Sequence, residues 1–223
     1  MPLLSGRDLH RSFGGELALT GASAFLEPGE VVAVTGRSGA GKSTLLHCLG
    51  GLLRPSAGQV LFRDQRLDGR SERQLSQVRR ENFGFVLQFG ELLPELTLLE
   101  NVALSLRLLG EGRREARRRS LAMLERLEID ALADRSASEV SGGQAQRAAV
   151  ARALIHGPKV VFADEPTGSL DRVTADLVLS EFLALARERS TAVLLVTHDA
   201  DVASRADRHI EMHAGAVVAP EHV

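Results

Sequence analysis

Residues 31–35 read VVAVT and residues 36–44 read GRSGAGKST. An apolar run, a glycine-rich turn and a helix-forming stretch in that order match G-x-x-x-x-G-K-[ST] in the setting it requires, a buried strand feeding a helix start. Glycines let successive backbone N–H groups curl around phosphate oxygens. Lys42 brings a point charge to the β- and γ-phosphates, and the Ser43 hydroxyl is suited to Mg²⁺. The candidate ATP-binding residues are therefore Gly36, Arg37, Ser38, Gly39, Ala40, Gly41, Lys42, Ser43 and Thr44. A glycine-rich turn that merely happens to contain Lys-Ser would leave the strand-turn-helix context unexplained.

Further strand-like runs fall at 24–26, 59–62, 83–87, 160–163 and 193–197. The run at 160–163 ends in Asp164-Glu165, two acids at the carboxyl end of a buried strand, where open α/β sheets place their ligands. In a P-loop enzyme Asp164 holds Mg²⁺ through water, and Glu165 accepts a proton from the water that attacks the γ-phosphate. Alone, such a pair reads as a solvated turn; beside a phosphate loop it becomes the second half of a nucleotide triphosphatase. Gln88 and His198 also follow strands, a shared placement that raises them above ordinary turn residues. The other histidines have no metal-ligand spacing.

Residues 140–147, VSGGQAQR, precede an apolar set at Ala148, Ala149, Ala151, Leu154 and Ile155 with helical spacing. Ser141 reads as a helix cap, so a second anion-favouring helix start is expected there. The stretch 91–157 shows helical patterns and no convincing strand, beginning with the capping box Thr97-Leu98-Leu99-Glu100. It is read as a helical subdomain inserted into an α/β core made of 1–90 and 158–223, all one domain.

At 223 residues with a net charge of −2, the chain can bury one sizeable core and offers no electrostatic case for nucleic acid. Its one cysteine, Cys48, forbids an internal disulfide and is read as a packed thiol. No run approaches the roughly 18 apolar residues of a membrane-spanning helix, and the start MPLLSGRDLH lacks a signal-peptide pattern. A soluble, cytoplasmic chain is expected. The basic run at 112–120 reads as a solvated helix face, with Ala116, Leu121, Leu124 and Leu127 inward.

Taken together, the chain resembles the ATP-binding subunits of ABC transporters over essentially its whole length. GRSGAGKS corresponds to Walker A, Gln88 to the Q-loop, VSGGQ to the signature and VVFADE to Walker B. Ser169, Leu170 and Asp171 correspond to the D-loop, and His198 to the switch histidine. The wording FVLQFGELLPELTLLENVALSL and ADEPTGSLD is similar to the branch of macrolide exporters, lipoprotein-releasing complexes, and bacitracin-resistance and haem exporters. Val140, where leucine is usual, and Ala145 depart from the pattern without removing Ser141, Gly142, Gly143 or Gln144.

The resemblance implies a P-loop ABC ATPase fold with an inserted helical subdomain and a small antiparallel β region near the N-terminus. It implies ATP and Mg²⁺ as cofactors, with Ser43, Gln88 and Asp164 (via water) at the metal. Phe13 would stack on adenine, with core packing as its alternative. His198 would touch the γ-phosphate, and Gln88 would contact Mg²⁺ and the attacking water. Glu165, His198 and Gln88 are the catalytic set. The signature would act in trans on the ATP of a second copy, giving an ATP-sandwiched homodimer. A separate membrane permease would meet Phe89, Leu92, Leu93 and Leu96, holding the chain at the cytoplasmic face of the membrane. A regulatory ABC ATPase of the cell-division type shares these motifs and stays open. DNA-repair and translation ABC ATPases would need coiled coils or a second ATPase domain, and a small-molecule kinase does not explain VSGGQ or His198.

Overall fold

The computed structural model describes residues 1–87 and 92–218. In chain order the elements are β1 (Leu4–Phe13), β2 (Glu16–Leu26), β3 (Val31–Thr35), α1 (Lys42–Leu49), β4 (Ala57–Phe62), β5 (Gln65–Arg66) and α2 (Glu72–Asn82). Then come β6 (Phe83–Val86), α3 (Leu98–Leu108), α4 (Arg113–Arg126), α5 (Gly142–Leu154), β7 (Val160–Asp164) and α6 (Arg172–Glu188). The chain closes with β8 (Ala192–Val196), α7 (Ala200–Ala203), β9 (Arg208–His213) and β10 (Ala216–Val218). The structure divides into two compact units, residues 1–79 with 192–223, and residues 80–191.

In the first unit β3 runs parallel to β8 on one side and to β9 on the other, and β10 pairs antiparallel to β9. Val31 to Val34 and Val193 to Val196 are buried throughout, as apolar strands covered on both faces must be. An antiparallel sheet in the order β2-β1-β4-β5 accompanies them. This is the expected N-terminal β region, and it is larger than the sequence suggests. β1 escapes a period-2 reading because its register with β2 shifts at Gly6/Leu9, Leu9/His10 and Arg11/Ser12, so its buried residues do not alternate.

The second unit pairs β6 parallel to β7. Phe162 on β7 meets the Phe83 ring edge-on at 5.2 Å and stacks on Phe85 at 5.3 Å. α5 lies against β6 so closely that a Cβ at Gly84 would sit 2.3 Å from the Ala153 carbonyl oxygen. The capping box at Thr97 and Glu100 forms as expected at the start of α3. α4 corrects one sequence reading. Its inward residues are Ala116, Ser120, Met123 and Leu124, while Leu121 faces solvent. Leu121 lies one position from Ser120, so a phase error of about 100° suffices to swap them. Arg119 also leaves the solvated face, donating to Glu111 at 2.6 Å and to the Ile155 carbonyl at 2.9 Å.

One ion pair pins β9 to the turn before β3. Arg208 Nε donates to Glu30 Oε1 at 2.7 Å, its Nη2 donates to Glu30 Oε2 and to the Phe25 carbonyl, and its guanidinium lies 4.1 Å from the Phe25 ring centroid. Burial by itself raises the Glu30 pKa; hydrogen bonds from Arg208 and the Glu27 amide, with the Arg208 charge, outweigh it and hold the carboxyl below its ordinary value. Arg208→Ala is expected to cost about 2 kcal/mol, a fall in Tm on the order of 5 °C for a chain this size. Because the folded pKa is depressed, the pair's contribution is full above the unfolded carboxylate pKa and is lost as pH falls through the folded one. Thermal melts of wild type and variant should therefore converge on acidification below the ordinary carboxylate value.

Candidate nucleotide site

β3 ends at Thr35, and α1 begins at Lys42 with Gly41 as its N-cap, in the left-handed region at φ 96° and offering no side-chain cap. No acid lies in the first turn of α1. The first backbone N–H groups thus have no side-chain acceptor of their own, and the positive end of the helix dipole is uncompensated, the arrangement that favours an anion. Two glycines are forced by close approach. A Cβ at Gly36 would lie 2.3 Å from the Met212 carbonyl oxygen, and one at Gly41 the same distance from the Ala18 carbonyl oxygen. Both also have positive φ, at 143° and 96°.

The Lys42 ammonium folds back over the loop, donating to the carbonyls of Gly36 at 2.9 Å and Arg37 at 3.1 Å. Arg37, Ser38, Gly39 and Ser43 are exposed, Ala40 is buried, and Thr44 is half-buried. His198 follows β8 and is exposed, with buried Thr197 before it. Since Val34 pairs with Val196, the chain leaves β3 toward Gly36 and β8 toward His198 at the same carboxyl edge. Phe13, at the end of β1, is 46% exposed with the Arg11 guanidinium 4.8 Å from its ring centroid. Core packing is thereby ruled out for it. Cys48 is buried on α1, and burial pushes its thiol up to about 11, so it is inert at neutral pH.

In the second unit Asp164 closes β7 and Glu165 takes φ 45°. A left-handed glutamate is uncommon, and such strain persists where the surroundings fix it. The chain then turns through Gly168 N–H to Glu165 O and Leu170 N–H to Thr167 O, each at 3.1 Å. Asp171 caps α6, accepting from the amides of Val173 and Thr174 at 3.1 Å. At the start of α5 the Ser141 Oγ accepts from the Gln144 amide, and the Gln144 side chain accepts from the Ser141 amide at 2.9 Å. This capping box gives Gln144 a structural task and leaves Gly142 and Gly143 as first-turn donors without an intrahelical acceptor. Gln88 and Phe89 lie outside the described residues.

The profile of the ABC transporter family matches residues 19–168. The chain belongs to the ABC transporter family. Among similar proteins, the lipoprotein-releasing system ATP-binding protein LolD of Legionella pneumophila (strain Lens) is 40% identical over 223 residues, 98% of each chain. The LolD of Xanthomonas oryzae pv. oryzae (strain MAFF 311018) is 48% identical over 187 residues, 84% of this chain and 77% of the relative. A solved dimer of the bacterial ABC transporter cassette MJ0796 superposes with a TM-score of 0.91 at 34% identity, covering 97% of both chains. Its post-hydrolysis dimer, bound to ADP and Pi, gives 0.90 at 33%. This ABC transporter chain is an ATP-binding subunit and an ATPase, in the branch of its lipoprotein-releasing relatives.

Two features of the site were not read from the sequence. The Lys42 clasp on the loop carbonyls depends on a side-chain rotamer. The contact of Gly143 with Thr174, whose Cγ2 would be 2.7 Å from a Cβ there, joins residues far apart in the chain. Gly41→Ala should destabilise the fold by about 2 kcal/mol or more, since it adds left-handed strain to a clash with a backbone carbonyl. It should also weaken ATP binding, measured by calorimetric titration. Wild-type stability would mean that the loop need not hold this path.

Proposed function

We propose that the chain hydrolyses ATP in a two-copy assembly to drive release of lipoproteins from a membrane through a separate permease. The observation that carries this reading is the pair of helix starts, α1 beneath Lys42 and α5 behind Ser141, each presenting amides suited to phosphate. A single triphosphate has use for both when two copies face each other head to tail, each α5 start closing on ATP held by residues 39–43 of the other. A two-fold axis completes two such sites at once, and nucleotide then stabilises the closed pair by mass action. The dimeric neighbours and the names of the relatives support this choice of assembly and of cargo class.

In this reading Phe13 stacks on the base, Lys42 neutralises the β- and γ-phosphates, and His198 contacts the γ-phosphate. Glu165 holds the attacking water and takes its proton. Among the described residues no group of three or more His, Cys, Asp or Glu could hold a metal ion unaided. Mg²⁺ keeps waters and shares phosphate oxygens, so a sparse set of hydroxyl, carboxylate and amide oxygens suits it: Ser43 would ligate it directly, Asp164 through water, and Gln88 would complete the set. When bound, the ion supplies positive charge to the phosphate oxygens. The core segments 1–90 and 158–223 carry the nucleotide, and the helical stretch 91–157 delivers the signature.

The permease would seat on a cavity of about 550 Å³ beside α3 and α4. Leu96, Leu99, Ala103 and Leu104 give it an apolar lining, and Arg107, Arg113 and Arg117 outweigh Glu100 and Asp134 on its wall, a net basic lining that suits an apolar segment carrying a carboxylate. No helix among the described residues is long and apolar enough to cross a membrane. Attachment to a membrane's cytoplasmic face would run through that partner.

Glu165→Gln should still bind ATP while its turnover falls on the order of a hundredfold or more, measured as phosphate release. Wild-type turnover in the variant would refute the base assignment. The double variant Arg113→Glu/Arg117→Glu should leave the basal ATPase of the isolated subunit unchanged and lower co-purification with the permease at least tenfold. Undiminished co-purification would place the permease elsewhere.

A further inference from the structure

We propose that the turn joining α3 to α4 makes a direct contact with the anionic surface of a membrane. Leu108 and Leu109 enter the headgroup layer, and Arg114 with its neighbours pairs with lipid phosphates. That the turn lies toward the bilayer in the assembly rests on the permease reading above; its affinity for lipid does not.

Residues 107–121 hold six arginines against two glutamates in a chain whose net charge is −2, so positive charge is gathered here and the remainder of the chain is acidic. Both glutamates already have partners: Glu111 accepts from Arg119 at 2.6 Å and Glu115 from Arg118 at 2.9 Å. Arg113, Arg114 and Arg117 are exposed and, among the described residues, join no ion pair. Arg114, Arg117, Arg118 and Leu121 recur at i, i+3, i+4 and i+7, an exposed stripe of α4 apart from the inward Ala116, Ser120, Met123 and Leu124. α3 stops at the same end of this helical pair. Gly110 takes φ 87°, its N–H donates to the Arg107 carbonyl at 3.0 Å, and the Glu111 N–H donates to the Leu106 carbonyl at 3.1 Å. Such a glycine stop is closed by backbone bonds and needs no leucine side chain. Leu108 is nevertheless 57% exposed and Leu109 40%. A lone exposed leucine is ordinary; two in succession between free arginines have the composition of an interfacial membrane anchor. A nucleic-acid backbone would use the arginines and leave the leucines in water, whereas a lipid surface uses both. Arg107, Arg113 and Arg117 also line the cavity assigned above to the permease, so the turn is continuous with the wall that a membrane partner would approach.

The test is co-sedimentation of the full chain, without permease, with vesicles of phosphatidylglycerol and phosphatidylethanolamine, compared with vesicles of phosphatidylcholine alone. The chain should bind the anionic vesicles, bind the neutral ones at least about tenfold less, and lose binding as salt is raised. Leu108→Ser/Leu109→Ser and Arg114→Glu should each weaken binding about tenfold or more, with basal ATPase unchanged and a Tm within about 2 °C of the parent. No binding by the parent, equal binding to neutral vesicles, or parental binding by either variant overturns the contact. A loss with Arg114→Glu and none with the leucine variant would mean charge attraction of the kind nucleic acid also gives. The chain contains no tryptophan, so a single one reports its own surroundings. Leu108→Trp should shift its emission to the blue with anionic vesicles, while Leu177→Trp, at a leucine 50% exposed on α6, should not. A shift at both positions would mean adsorption of the whole surface and overturn the contact. A chain that binds these vesicles and fails to co-purify with the permease refutes the permease seat alone; one that co-purifies and leaves the vesicles unbound refutes the lipid contact alone.

Discussion

The turn from β3 into α1 depends on backbone passing where no side chain fits. Gly36 is pressed against the Met212 carbonyl on β9 and Gly41 against the Ala18 carbonyl on β2, so the loop is braced from a parallel strand and from an antiparallel one. The rest of the first unit follows from that bracing. β3 must be buried on both faces to deliver Thr35 to this place, which its VVAVT sequence permits, and β8 must pair beside it for His198 to leave at the same edge. Pinned in this way, the loop holds a fixed path, and the Lys42 ammonium rests on its carbonyls.

The second unit treats α5 in a comparable manner, by holding both ends. At its start the Ser141–Gln144 box closes the first turn, and Gly143 leaves the space that the Thr174 methyl fills. At its end Arg119 donates to the Ile155 carbonyl and Arg189 to the Leu154 carbonyl at 2.7 Å, placing two positive charges at the negative end of the helix dipole. Ser105 on α3 adds a bond to the Arg152 carbonyl. A helix whose carbonyl end is anchored and whose amide end faces outward is suited to carrying a ligand group.

Much of the candidate site is legible because the chemistry proposed for it demands particular residue types close together in sequence. The phosphate loop, Asp164-Glu165 and the serine-capped glycine pair each declare themselves within a few residues. Helix boundaries were legible for the same reason, since the boxes at Thr97–Glu100 and Ser141–Gln144 span one turn. β1 was not, because its bulges destroy alternation. Nor was the inward face of α4, where Ser120 is buried and Leu121 is exposed, against their hydropathies.

Short-range patterns of glycine, lysine and carboxylate are enough to place the chain among the ABC ATPases and to point to a strand-loop-helix unit as its candidate triphosphate site. Tertiary structure alone decided which glycines are obligatory, that Phe13 is exposed rather than packed, and that Asp171 and Gly143 share Thr174 as a neighbour. Those facts concern residues brought together by folding, and a one-dimensional pattern holds no record of the distance between a methyl on α6 and a missing Cβ on α5.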